Sequence, residues 1–240
     1  MSETASKNPS LGKRHPDLRV GGLIPLSTCD WPGQLAATVF CQGCAWDCAY
    51  CHNPHLRPMQ ADAQESWQEV FAFLKTRRGL LDAVVFSGGE PTLQPALLHA
   101  VEAVRGLGFR VGLHTAGMAP ERFAPLLPLV DWVGFDVKAP FDTYASITGV
   151  ERSGDKARAS LNMLLASGVP YEVRTTVHPA LLTPADMLAL RDQLLTLGVT
   201  HYAIQHFRAT GANRMPPLAD PSGYTVPPRY AEGFLSFTVR

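Results

Sequence analysis

Short apolar runs, partly β-branched and bounded by glycine, proline or charge, alternate along this chain with longer stretches whose apolar positions repeat at helical spacing. The runs are Ala36–Cys41, Ala83–Phe86, Phe109–Leu113, Trp132–Phe135, Tyr171–Val177 and His201–Ile204, and they predict six buried strands. Between them, Pro95 followed by Leu97, Val101 and Val104 and stopped by Gly106 and Gly108 predicts a helix. Thr183-Pro184-Ala185-Asp186 supplies a cap, a proline at the first helical position and a carboxylate at the third. It opens a stripe of Leu190, Leu194 and Leu197 that ends at Gly198. Residues 63–75 and 155–167 read as two further helices, the second stopped by Gly168. Strands alternating with helices imply a parallel sheet with right-handed crossovers.

Length selects among such folds. The polar segment 1–19 reads as a loose amino-terminal arm, and the proline-rich segment 210–240, which has little helical or strand pattern, reads as a tail that either covers the barrel mouth or meets a partner. What remains, residues 20–209, accommodates about six units of roughly 30 residues, whereas a complete eightfold barrel takes about 250. The expected fold is a single α/β domain, a partial (β/α)6 TIM-like barrel of parallel strands with an open flank. A doubly wound open sheet shares the same periodicity.

Charge and cysteine content narrow the chemistry. The 21 basic residues balance 21 acidic ones, so no surplus of cations exists to grip nucleic acid. No run of 18 apolar residues is present, and Met1-Ser-Glu-Thr-Ala-Ser-Lys-Asn8 lacks the apolar core of a signal peptide. The expectation is a cytoplasmic protein with neither a nucleic-acid nor a membrane partner. All five cysteines, Cys29, Cys41, Cys44, Cys48 and Cys51, lie within the first 51 residues. In a reducing compartment such a cluster points to metal ligation or redox chemistry.

Cys44-Ala-Trp-Asp-Cys48-Ala-Tyr-Cys51 has the spacing C-x3-C-x2-C directly after the first predicted strand. Three close thiolates without a fourth at matching distance suit a [4Fe–4S] cluster that keeps one iron open. A structural zinc ion is the rival, with Cys41, His52 or His55 as fourth ligand. The stretch from Gln42 to Pro54 resembles the radical S-adenosylmethionine (SAM) enzymes. More narrowly it is similar to the activating enzymes of glycyl radical proteins, in particular those serving anaerobic ribonucleoside-triphosphate reductase. Ser27–Gly33, Val39–Cys44, Phe86–Gln94 and Gly134–Pro140 carry the same resemblance, which runs from about residue 20 to 208.

That resemblance implies that Cys44, Cys48 and Cys51 bind three irons and that SAM chelates the fourth. Reductive cleavage of SAM then gives a 5′-deoxyadenosyl radical. It places Tyr50 near the adenine and Gly88, Gly89 and Glu90 at the methionine amino group. Two glycines there would let an ammonium approach backbone carbonyls, with the carboxylate matching its charge. His114 and Thr115 follow the third predicted strand and fall where similar enzymes reach the ribose or carboxylate. Asp136 and Lys138 share a face by alternation, as do Arg174 and Thr176, and Arg174 offers a fork for a carboxylate. His178, Gln205 and His206 sit at or beyond strand ends and are candidate lining residues, while Cys29 and Cys41 read as ordinary small buried residues.

The function expected from the resemblance is hydrogen abstraction from a glycine of an anaerobic (class III) ribonucleotide reductase, with flavodoxin or ferredoxin as electron donor. Two rivals remain at this stage: a radical SAM enzyme acting on a small molecule in cofactor or nucleoside biosynthesis, and a zinc-stapled interaction module or electron carrier.

Overall fold

The computed structural model describes residues 17–61, 65–208 and 226–240. They form one sheet whose strands follow chain order: β1 (Val20–Ser27), β2 (Ala36–Cys41), β3 (Ala83–Gly88), β4 (Arg110–Thr115), β5 (Trp132–Asp136), β6 (Tyr171–Val177), β7 (His201–His206) and β8 (Ser236–Val239). Only β1 and β2 are antiparallel; every later neighbour is parallel. The helices are α1 (Trp67–Thr76), α2 (Leu97–Gly106), α3 (Pro120–Phe123), α4 (Ala145–Thr148), α5 (Ser153–Ser167) and α6 (Pro184–Thr196). β1 and β8 are not paired with each other, so the barrel is open, as expected.

The six predicted strands are β2 to β7. Two edge strands were not predicted. In β1 two glycines and Pro25 interrupt the β-forming pattern, and β8 lies in the segment read as a patternless tail. The arm is shorter than expected, because Leu18 is buried and the Arg19 backbone N–H donates to Gln94 Oε1 at 2.8 Å. The rest of the predicted arm and the tail residues 210–225 lie outside the described residues. The predicted cap of α6 is present in full, with Thr183 and Asp186 bonding each other's backbone N–H.

Alternation along the strands separates two apolar regions. Val39, Phe86, Leu113, Phe135, Val173 and Ile204 belong to the main core beneath the helices, with Leu97, Leu161 and Leu190. The opposite face is apolar at the amino ends of the strands, where Trp31, Ala36, Ala83, Val85 and Trp132 form a separate cluster and the two tryptophans stack at 5.6 Å. Gly112 leaves room for this floor, since a Cβ there would lie 2.9 Å from the Trp31 ring. Above the floor, towards the carboxyl ends of the strands, the same face becomes polar.

Candidate active site

That polar region opens into a cavity of about 450 Å³. Its walls include Cys29 and Asp30 beside β1 and Arg240 beyond β8, so the sheet curls until both flanks border one space. This is the end of the strands where barrel folds carry chemistry. Every predicted site residue lines the cavity except Glu90 and the candidate lining residue His178.

The segment from Gln42 to Asn53 has no regular secondary structure and is held by bonds to its surroundings. The Gly43 and Cys44 N–H groups donate to the Leu56 and Arg57 carbonyls at 2.7 and 3.0 Å, and Asp47 N–H donates to Thr148 O at 2.8 Å. Arg57 Nε donates to Trp46 O at 3.1 Å. Cys51 N–H donates to Cys48 O at 3.1 Å, a turn that draws two of the thiols together. Burial pushes the Cys44 thiol up to about 12, opposed by the Trp46 backbone, and burial also raises Cys48. Such thiols lose their protons only where a neighbouring cation compensates the thiolate charge. Among the described residues no three His, Cys, Asp or Glu side chains converge on a single point to hold one metal ion. Three thiols on one loop fit a cluster in which each iron takes one thiolate better than a closed tetrahedral zinc site.

The Gly88-Gly89-Glu90 turn packs under this loop. Gly88 has φ +115°, and a Cβ on it would lie 2.4 Å from Cys41 N; a Cβ on Gly89 would lie 2.3 Å from Gly43 O. The space left by the absent side chains is therefore taken by the backbone of the cysteine segment. Glu90 is fully buried. Its Oε1 accepts from Thr92 N–H at 3.2 Å and from the Thr92 and Thr115 hydroxyls at 2.6 Å each, and its Oε2 accepts from Ala116 N–H at 2.9 Å. Burial pushes its pKa up against these bonds. Glu90 thus ties the turn after β3 to the end of β4, behind the cavity wall.

The far wall is charged. Asp136 accepts from Arg174 Nε at 2.8 Å and lies 3.9 Å from Lys138 Nζ. Arg174 Nη2 also donates to Gly134 O at 3.3 Å. Gly134 must be small, because a Cβ there would lie 2.6 Å from Arg174 Nη1. Burial disfavours the Asp136 charge, but Arg174 and Lys138 outweigh it and hold the carboxyl below its usual range. Burial likewise opposes the Lys138 charge, and Tyr50, Cys48 and Asp136 more than restore it. Lys138 Nζ stands 5.6 Å from the Tyr50 ring centroid, within cation–π range.

His114 is committed on both sides. Its Nε2 lies 2.7 Å from the Asp30 carbonyl and its Nδ1 3.1 Å from Ser87 Oγ. A carbonyl only accepts, so Nε2 carries the proton and Nδ1 accepts from the serine hydroxyl. Burial, then Arg174, holds this imidazole down to about 3. One carboxylate therefore faces two cations here, leaving a surplus of positive charge.

His52, Gln205 and His206 line the cavity, whereas His178 packs edge-on against Phe207 at 4.9 Å and accepts from Ala180 N–H. Cys41 is buried as expected, but Cys29 is exposed and borders the cavity. Sequence reasoning also missed Arg57 and Arg240, of which only Arg57, a basic residue just past the cysteine motif, carried a signal of its own; Gly134 stood in a block that carries the resemblance but was given no role.

Residues 38–190 match the radical SAM superfamily. The chain belongs to that superfamily. Its members use a [4Fe–4S] cluster and SAM, for which the three thiols are the fitting protein ligands. A protein of Methanocaldococcus jannaschii named as a glycyl-radical enzyme activating enzyme is 32% identical over 206 residues, covering 80% of this chain and 81% of that one. The pyruvate formate-lyase-activating enzyme of Clostridium pasteurianum is 30% identical over 171 residues, 68% of this chain and 70% of the other. A 7-carboxy-7-deazaguanine synthase of Methanopyrus kandleri is 35% identical over a shorter 129 residues, 45% of this chain and 51% of its own. Among solved structures, SuiB of Streptococcus suis bound to S-adenosylmethionine superposes with a TM-score of 0.63 at 13% identity. That match covers 83% of this radical SAM chain and about half (48%) of SuiB, and at this identity it speaks to the fold alone. No helix among the described residues is long and apolar enough to cross a membrane.

Proposed function

We propose that this radical SAM enzyme is a cytoplasmic activase that abstracts a glycine Cα hydrogen from an anaerobic (class III) ribonucleotide reductase, with flavodoxin or ferredoxin supplying the electron. The observation that carries the reading is similarity over four fifths of the chain to a protein named for glycyl-radical enzyme activation. When bound, the cluster and SAM supply a 5′-deoxyadenosyl radical on one-electron reduction. The chain's own residues orient and shield that chemistry. Cys44, Cys48 and Cys51 are the iron ligands. The surplus positive charge of Lys138 and Arg174 around Asp136 suits the SAM carboxylate, and the backbone of Gly88 and Gly89 faces its amino group. Tyr50 flanks the adenine and Thr176 offers a hydroxyl at the rim, while Thr115 borders the cavity with its own hydroxyl bonded to Glu90. His114 contributes chiefly by holding Asp30 and Ser87 in place, and Glu90 by holding the glycine turn. The stacked tryptophans close the floor against water.

Anaerobic reconstitution followed by SAM, a reductant and a class III reductase tests the proposal through electron paramagnetic resonance. A glycyl radical signal on the reductase is expected. SAM cleavage without such a signal would refute the activase reading and leave the superfamily intact. The similarity to 7-carboxy-7-deazaguanine synthase supports a second reading, a small-molecule substrate for the same cavity. Cleavage that depends on an added metabolite and leaves the reductase unaltered would favour it.

A further inference from the structure

Tyr144 belongs to none of the motifs, yet it touches both halves of the site. It is almost fully buried. Its ring meets Trp46, the residue midway between Cys44 and Cys48, edge-on at 5.7 Å. Its hydroxyl accepts from the Lys138 backbone N–H at 3.1 Å and donates to the Asp136 carbonyl at 3.3 Å. Directly after it, α4 ends at Thr148, whose carbonyl receives the Asp47 N–H of the cysteine loop. Thr148 is fixed in turn by Ser153 Oγ at 2.7 Å. A single short segment, 144–148, therefore holds the outer side of the cysteine loop and, through one oxygen atom, the peptides that carry Asp136 and Lys138.

The ladder explains why that oxygen matters. β5 ends at Asp136, so Lys138 lies beyond the last strand residue, and the Tyr144 hydroxyl receives its N–H. We propose that Tyr144 is a positioning residue that sets the spacing between the cysteine loop and the Asp136–Lys138 pair, and thereby the pose of SAM between them. The inference rests on the reading that Asp136 and Lys138 face SAM. Displacement of a binding group by about 1 Å is costly in such sites.

Tyr144→Phe keeps the ring against Trp46 and removes only the oxygen. Expected are wild-type iron content and an unchanged spectrum of the reduced cluster without SAM. SAM affinity should fall about 3- to 10-fold, the worth of one or two hydrogen bonds, and the SAM-induced change in the cluster's paramagnetic resonance spectrum should need correspondingly more SAM. Tyr230→Phe is the control. It loses a hydroxyl that donates to Pro184 O at 3.4 Å, away from the cavity, and should bind SAM like the wild type. Lys138→Met, run in parallel, separates the two layers of the argument. If Lys138→Met binds SAM normally, the reading of the site fails and the inference with it. If Lys138→Met is weakened but Tyr144→Phe is not, the positioning role alone is overturned. It is overturned too if Tyr144→Phe no longer takes up iron, or if Tyr230→Phe loses affinity equally.

Discussion

Replacing Glu90 by Gln separates a residue that grips the ligand from one that holds the site together. The carboxylate accepts four hydrogen bonds in a fully buried position. A glutamine whose carbonyl takes the place of Oε1 keeps the three bonds from Thr92 and Thr115. Its amide nitrogen then meets the Ala116 N–H, donor against donor. Each of the two facing donors, buried and unsatisfied, costs about 1–3 kcal/mol, roughly 2–6 kcal/mol together. Relief from burying a charge offsets part of this, since burial already pushes the Glu90 pKa up. A net loss of about 1–3 kcal/mol corresponds to a fall in melting temperature of roughly 2–12 °C for a chain of this size. Circular dichroism on the cluster-free, SAM-free protein reads that change with no ligand present. Thr115→Val, which keeps the shape but removes a donor to Glu90 and the acceptor of the Gly117 N–H, should destabilise in the same direction. If Glu90→Gln melts within about 1 °C of the wild type while SAM binding weakens, the carboxylate acts on the ligand directly and the placement argued above is refuted.

Two further outcomes follow from the same geometry. His114 is neutral when folded, with its pKa held down to about 3 from an ordinary 6.5. Below about pH 6.5 the unfolded chain takes up a proton that the folded protein refuses, so stability should fall as pH drops towards 3, by up to about 1.4 kcal/mol per unit. Urea unfolding at pH 6.5 and 5.5 should show this slope in the wild type and a flatter one in His114→Asn; equal slopes would place the titration elsewhere. Alanine at Cys44, Cys48 or Cys51 should abolish both iron uptake and 5′-deoxyadenosine formation, whereas Cys41→Ala should retain both. An iron-free Cys41 variant would mean that the ligand set has been misassigned.

Local patterns were the most legible. The cap of α6 rests on Thr183 and Asp186, three residues apart, and reads directly from the chain because helix starts are satisfied by near neighbours. β1 was hidden because it is an edge strand containing Gly21, Gly22 and Pro25, where propensity gives no signal and pairing with β2 alone confers the strand conformation. Glycine was legible as a requirement but not as a reason. Gly88 and Gly89 marked a turn that tolerates no side chain, yet only the packed structure shows that Cys41 and Gly43 occupy the space.

The sequence by itself determined the chemistry of the cysteine loop, the six parallel strands and the set of polar groups at their carboxyl ends. Each of these depends on residues near one another in the chain or on simple alternation. The tertiary structure decided what every such group faces. Glu90 turned inward because its donors, Thr115 and Ala116, arrive from the next strand. His114 gave both nitrogens to the protein because the β1–β2 loop and the end of β3 close on it from opposite sides. Cys29 and Arg240, more than 200 residues apart in sequence, border one cavity because the sheet curls. Burial and hydrogen-bond partnership are set by non-local pairing, and no window of sequence contains that information.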